Sequence, residues 1–398
     1  MSLPQELVDA ILDNISDDLP TLKACSLVAS LFTHSARTHI YRKIEISPLS
    51  SSGNSCRKFY ELLSSSPDIA PLVKNLLIVS NGLFPTDAEE CRRGKLGFEP
   101  DTSRTLPLVL PCLVNLTRIS LVEHPPNPWI KTACSMNWRA MNEDSKSALA
   151  AVFSSPRLEA VHFRGFAIES PRQLLSLFSE AVALKEMSLS RMYFTSPEPW
   201  PKLQPWLPQL QSLRINDSGR RVPYLRYFVH PQICLSQVST LSVNTHSIQW
   251  RNEIIQATGV EHLQVMLRGP TECTPDIFCG MKLRSIHLWT DCTLYVLAHV
   301  FIMCQPGRAL ERITIDGPGT DWELSLLRLS NLDVSIETKL DHLPALKRVE
   351  LRREKEGTDA VDTFAKWEVA VQAALPSLMR RGMLFMTEID SAARHEWE

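Results

Sequence analysis

One phrase returns ten times between residues 73 and 351: an apolar residue, two variable ones, an apolar residue, one variable, an apolar residue. It reads Val73-Leu76-Ile78, Leu116-Ile119-Leu121, Leu158-Val161-Phe163, Leu184-Met187-Leu189 and Leu210-Leu213-Ile215. It continues as Val238-Leu241-Val243, Val260-Leu263-Val265, Leu283-Ile286-Leu288, Leu310-Ile313-Ile315 and Leu346-Val349-Leu351. The last two apolar positions of each phrase are two apart, the period of a half-buried strand. The intervals supply return segments: Cys56–Ser66, Ser147–Phe153, Pro171–Ala181, Ile248–Ala257, Thr293–Met303 and Trp322–Leu329. Several of these open on Ser, Thr or Pro, as helices do.

From position 158 the phrases step by 26, 26, 28, 22, 23, 27 and 36 residues. Such steps resemble leucine-rich repeats, whose unit is one strand and one helix or helical turn. The Asn that usually follows the third apolar position is missing from most units. The expected fold class is therefore α/β: a short N-terminal all-helical module at 1–46, then an irregular leucine-rich-repeat-like solenoid at 47–352. A C-terminal helical cap is expected at 353–398. An ordinary α/β domain with similar strand–helix alternation is the competing reading. Two insertions, 80–112 and 122–146, are rich in Pro, Gly and charge, and a third Pro-dense piece carries Trp200 and Trp206. Long loops of this kind either bind partners or pack over an edge, and the sequence leaves that open.

The N-terminal segment is read as three helices. Leu3, Leu7, Ile11 and Ile15 recur every four residues, and Pro4 suits a first helical position. A second helix offers Leu22, Ala24, Leu27, Val28 and Leu31; a third offers Ala36, Ile40, Tyr41 and Ile44. So few residues cannot bury that much apolar surface among themselves. Either the rest of the chain covers it or another protein does.

The segment resembles an F-box, in the divergent form found in fungal protein families. The resemblance rests on Leu3-Pro4, Glu6-Leu7, Ile11-Leu12, Leu22, Ala24-Cys25-Ser26-Leu27-Val28 and Ala36…Ile40-Tyr41-Arg42…Ile44. It departs at Phe32, where that family usually has Trp, and at Ala29 and Ser30. The resemblance implies an adaptor. Leu3, Pro4, Leu7, Ile11, Leu12, Leu27, Val28 and Phe32 would dock on a Skp-type protein of a cullin–RING ubiquitin ligase, and the rest of the chain would hold the target.

Composition excludes other classes. A net charge of −2, from 42 basic and 44 acidic residues, gives no electrostatic case for nucleic acid or an anionic membrane. The longest apolar run, Val296 to Cys304, falls far short of the roughly 20 residues that span a bilayer. The N-terminus lacks the basic start and apolar core of a signal peptide. Ten cysteines show no paired spacing and read as reduced thiols, so an intracellular protein, cytoplasmic or nuclear, is expected.

No catalytic motif emerges. The phosphate-loop, dinucleotide and nucleophile-elbow glycine patterns are absent. Gly317-Pro318-Gly319 reads as a turn, and His34 and His39 lack the spacing of a zinc pair. We expect no enzyme, no cofactor and no metal site. The repeat does offer a surface, because residues between the apolar positions of a strand face away from the core. Arg164, Arg214, His262, His287, Trp289, Arg312 and Arg348 are the candidate target-binding residues, Trp and Arg being the types that carry interface energy. A plain interaction scaffold, whose N-terminal helices merely cap the repeats, is the first alternative. An enzyme assembled from His262, His287 and Asp316 is the second.

Overall fold

The computed structural model describes residues 4–47, 55–80, 100–123, 136–194, 209–217, 228, 233–245, 248–267, 282–290, 309–317, 333–334, 337–338, 340–355 and 360–389. The fold is α/β and built on parallel strands. The chain divides into two compact units, Met1–Leu203 and Gln204–Glu398.

The first unit opens with α1 (Gln5–Asn14), α2 (Leu19–Val28) and α3 (Ser30–Arg42). Pro4 stands just before α1, its carbonyl accepting from the Leu7 and Val8 amides. Asp18 caps α2 by accepting from the Thr21 amide at 3.1 Å, which satisfies one of the free N–H groups of the first turn. Ala29 is extended, so α2 ends at Val28 instead of running to Leu31, and α3 begins one residue later. Val8, Leu12, Leu22 and Ala36 form the buried centre of the three helices, with Ile15, Cys25, Leu31, Phe32 and Ile40 packed around it.

α3 passes directly into strand β1 (Lys43–Ile46). This corrects the expected all-helical module: Ile44-Glu45-Ile46 alternates in period two with β-branched residues, and it pairs in parallel with β2 (Asn75–Ser80). The sheet continues through β3 (Arg118–Glu123), β5 (Ala160–Arg164) and β7 (Glu186–Ser190), each parallel to the last. A smaller parallel sheet holds β4 (Met136–Asn137), β6 (Phe166–Ile168) and β8 (Tyr193–Phe194). The expected return segments at Cys56, Ser147 and Pro171 are helices, over Ser55–Ser65, Glu143–Phe153 and Pro171–Leu177. Residues 81–99, 124–135, Trp200 and Trp206 lie outside the described residues, but Trp138 of the second insertion is buried against Phe153 and Phe166. That part of the insertion packs on the core.

Gly165 turns the chain from β5 into β6 at φ +68°, a region that side chains disfavour. A Cβ there would also come within 2.6 Å of Glu123 Cβ. Gly165→Ala is expected to lower stability by about 1–3 kcal/mol, read from a urea midpoint. An unchanged midpoint would show that Glu123 moves aside freely.

The second unit is a run of seven parallel strands in sequence order: β9 (Ser212–Asp217), β10 (Thr240–Thr245), β11 (His262–Leu267), β12 (Ser285–Thr290), β13 (Arg312–Gly317), β14 (Arg348–Glu354) and β15 (Leu384–Ile389). A helix over Ile248–Ala257 lies between β10 and β11, as expected; Thr293–Met303 and Trp322–Leu329 lie outside the described residues. The C-terminal segment is not purely helical. Helices Ala360–Ala374 and Pro376–Arg380 are followed by β15, in register with β14.

In both units the three apolar positions of all ten phrases are buried, at 6% exposure or less. A further regularity joins neighbours at the strand starts. One carbonyl accepts two successive amides of the next strand: Lys74 takes Thr117 and Arg118, Thr117 takes Glu159 and Ala160, and Glu159 takes Lys185 and Glu186. Gln211, Ser239, Glu261, Arg284 and Glu311 repeat the arrangement in the second unit.

Candidate functional site

Most of the candidate residues lie on two surfaces, one in each unit. On the helices, the buried centre uses one side of α1 and leaves another uncovered. Leu7 and Ile11 are 52% and 48% exposed, while Leu27 and Val28, at the corner where α2 gives way to α3, are 86% and 77% exposed. Pro4 is also exposed, and Leu3 lies outside the described residues. Phe32 is half-buried against the helical centre. Leu12 is fully buried there, so it cannot itself touch a partner. Its place in the candidate set is corrected: it supports the helices from inside.

Polar contacts tie the same helices together. Asp9 on α1 accepts from Ser35 on α3 at 2.5 Å and from Gln5 at 2.8 Å, which holds its carboxyl below the usual range. A depressed carboxyl pKa contributes stability that is complete above the ordinary carboxylate range and is lost as pH falls through the folded value. Acid should therefore loosen the α1–α3 contact, and Asp9→Asn should reduce the acid sensitivity of the helical signal in circular dichroism. Arg37 of α3 pairs with Asp68 at 3.0 Å, beyond the first strand.

In the second unit the strands expose a polar face opposite the core, arranged in rows by the register. Thr240, His262, Ser285, Arg312 and Arg348 form the row nearest the strand starts. Arg214, Ser242, Gln264, His287, Thr314, Glu350 and Phe385 form the next. Thus His262, Arg312 and Arg348 share one row, with His287 in the adjacent one and Arg214 at its far end. Arg164 is on β5 of the first unit, on the corresponding side of its strand.

The third row, Asn216, Asn244, Met266, Trp289 and Asp316, is buried, at 5% exposure or less. Trp289 is therefore corrected from a surface anchor to a core residue. It lies in register beside Met266, and together they form a buried apolar pair on that row. Asn216 and Asn244, two units that do carry the repeat Asn, bond to each other at 3.1 Å.

Asp316 joins the third row to the second. Its Oδ2 lies 2.9 Å from His287 Nε2 and accepts from Arg352 Nη2 at 2.8 Å, its Oδ1 accepts from Arg352 Nε at 2.6 Å, and Arg352 Nη2 also meets His287 Nε2. A carboxylate buried to 1% exposure thus fixes a guanidinium and an imidazole that are 26% and 28% exposed. Arg348 is held in turn by Glu350 at 3.1 Å and lies 4.2 Å over the Phe385 ring. His262 Nδ1 pairs with the Ser285 hydroxyl at 2.8 Å. Arg312 is exposed. The sequence places Arg352 on this face with Arg348 and Glu350; it does not single out Phe385, although the alternation of Leu384-Phe385-Met386 puts it there.

A comparison with protein-family models and with curated proteins finds no match. The reading of function accordingly rests on the residues themselves. Among the described residues no group of three or more His, Cys, Asp and Glu side chains could hold a metal ion, and no helix is long and apolar enough to cross a membrane. Among the cysteines, Cys56 is buried and its thiol is pushed up to about 12 by burial. Cys112 and Cys234 are exposed and free. Cys273, Cys279, Cys292 and Cys304 lie outside the described residues.

Proposed function

We propose that the chain is a non-catalytic substrate-recognition adaptor of an SCF-type ubiquitin ligase. In this reading α1–α3 are an F-box-like module that docks on a Skp-type adaptor, and the remaining repeats are an irregular leucine-rich-repeat-like solenoid that holds a target protein. The observation that carries the docking half is the exposure of Leu27 and Val28 within the segment that resembles an F-box. Fully burying such a side chain gains about 1.5–3 kcal/mol, which two adjacent residues offer only if a partner covers them. The parallel strands, which follow chain order within each sheet, and the repeated two-amide bonding at their starts support the solenoid half. The adaptor would act by proximity, raising the concentration of target near the transferring enzyme.

The test is co-expression of the full chain with a Skp-type adaptor, followed by size-exclusion chromatography. Co-elution that is lost in the Leu27→Asp, Val28→Asp variant supports the reading; separate elution of a folded chain sinks it. Deleting residues 1–46 would be a poor control, because it removes β1 and uncovers the edge of β2.

A second reading, a scaffold whose helices only cap the repeats, is favoured by one observation. α3 runs into β1 without a spacer and is pinned by Arg37–Asp68. It predicts a folded chain that ignores the Skp-type adaptor and is insensitive to substitution at Leu27 and Val28.

A further inference from the structure

On the polar face of β12–β14 each acid is less exposed than the base it pairs with. Asp316 is 1% exposed beneath Arg352 at 26%, and Glu350 is 15% exposed beside Arg348 at 35%. Arg312 is exposed and stands directly opposite Arg348 in the register, its guanidinium making no hydrogen bond or ion pair to another described residue. Like charges placed directly opposite on neighbouring strands are destabilising. Folding alone gives no reason to keep this pair.

The guanidinium groups are also pre-aimed. Asp316 engages the Nε and Nη2 side of Arg352, which leaves the Nη1 edge for another acceptor. The Phe385 ring fixes Arg348 by itself, while Glu350, only partly buried, competes with a ligand for the Arg348 Nε. A ligand meeting these groups would find them already ordered, and so would bind at a smaller entropic cost.

We propose that this face binds an acidic segment of a protein, rich in Asp or Glu, with Arg312, Arg348 and Arg352 as its anchors and Asp316 as the residue that positions Arg352 and His287. Carboxylates match the planar fork of arginine, two N–H groups to two oxygens. Arg312 and Arg348 are neighbours across one strand spacing, and Arg348 and Arg352 lie four residues apart along β14, roughly 13 Å, which suits about four residues of extended chain. A nucleic acid would need a wider basic field than a chain of net charge −2 provides. The inference rests on the reading of this face as the place where a target is held, and it specifies that target's chemistry.

The probe is a fluorescein-labelled poly-glutamate peptide, titrated with the full chain and followed by anisotropy. Saturable binding is expected, weakening as salt rises. Arg312→Gln with Arg352→Gln should weaken it by about tenfold or more, since hydrogen bonds to charged groups are lost. Asp316→Asn should weaken it too by releasing Arg352, whereas Glu350→Gln, which removes a competing acid, should tighten it. A purely structural role for these residues predicts no tightening. Arg57→Gln, an exposed arginine of the other unit, serves as control and should leave binding unchanged.

Absence of saturable binding, or equal binding by the arginine variants and the parent, overturns the proposal. The adaptor co-elution is independent of this face. Co-elution without poly-glutamate binding overturns this inference alone, and poly-glutamate binding without co-elution overturns the ligase reading while upholding the acidic-segment site.

Discussion

Substituting Leu27 and Val28 together by Asp is expected to abolish co-elution with a Skp-type adaptor, a loss of about a hundredfold or more in affinity. Two apolar side chains that leave water on binding would be replaced by two carboxylates that must be stripped of water. The same change should leave the isolated chain folded, because neither residue contributes to the helical centre. Asp at the C-terminal end of α2 meets the negative end of the helix dipole at a cost of about 0.3–1 kcal/mol. Leu27→Ser with Val28→Ser avoids that cost and should still weaken binding strongly. Leu12→Ala is the contrasting variant. It should destabilise the helices by about 2–5 kcal/mol through a cavity beside Val8, Leu22 and Ala36. If the exposed pair were truncated with no effect on co-elution, the docking assignment would fail whatever Leu12→Ala did.

The largest effect on stability is expected at Phe163. Its ring stacks on Phe166 at 4.9 Å and meets Phe153 edge-on at 5.7 Å and Phe178 at 6.0 Å. Trp138, from the insertion, closes the cluster through Phe153 and Phe166. Phe163→Ala should cost about 3–5 kcal/mol, because a close-packed group of rings cannot collapse into the space left behind. Urea unfolding followed by the fluorescence of a variant that keeps only Trp138 would measure it on this cluster. A loss under about 1 kcal/mol would mean that the rings repack.

The strand positions were legible because a parallel sheet covered on one face demands apolar residues two apart, and a short turn before each strand demands a third. Ten copies of that demand leave little freedom. β15 was not legible, because the phrase fails there: Arg381 stands where Leu346 stands in the preceding unit, so Leu384 and Met386 lack their first member. Ile44 is ambiguous in the sequence because an apolar residue four after Ile40 fits a helical stripe as well as it begins a strand. On the helices, a four-residue stripe looks the same whether the chain's own core or a partner covers it. The fold buries Val8 and Leu12 and leaves Leu7 and Ile11 half-covered, a choice made by how α1 sits on α2 and α3. On the candidate face, alternation places His262, His287, Arg312 and Arg348 opposite the core, and the strand register agrees. Its third row failed at Trp289, because burial at a strand end depends on what lies over it, and local period carries no information about that.

Arg42 is the last residue of a helix and Lys43 the first of a strand, with nothing between them that could serve as a swivel. Many domains that recognise one partner and present another are exchanged through evolution as cassettes joined by tolerant linkers. This helical segment cannot travel that way. Moved to another protein without β1, it would arrive missing the strand that anchors it to β2; moved with β1, it would bring an unpaired edge in search of a partner. The two ends of the junction must therefore change together, and a lineage that alters the angle of α3 also alters the first strand of the sheet.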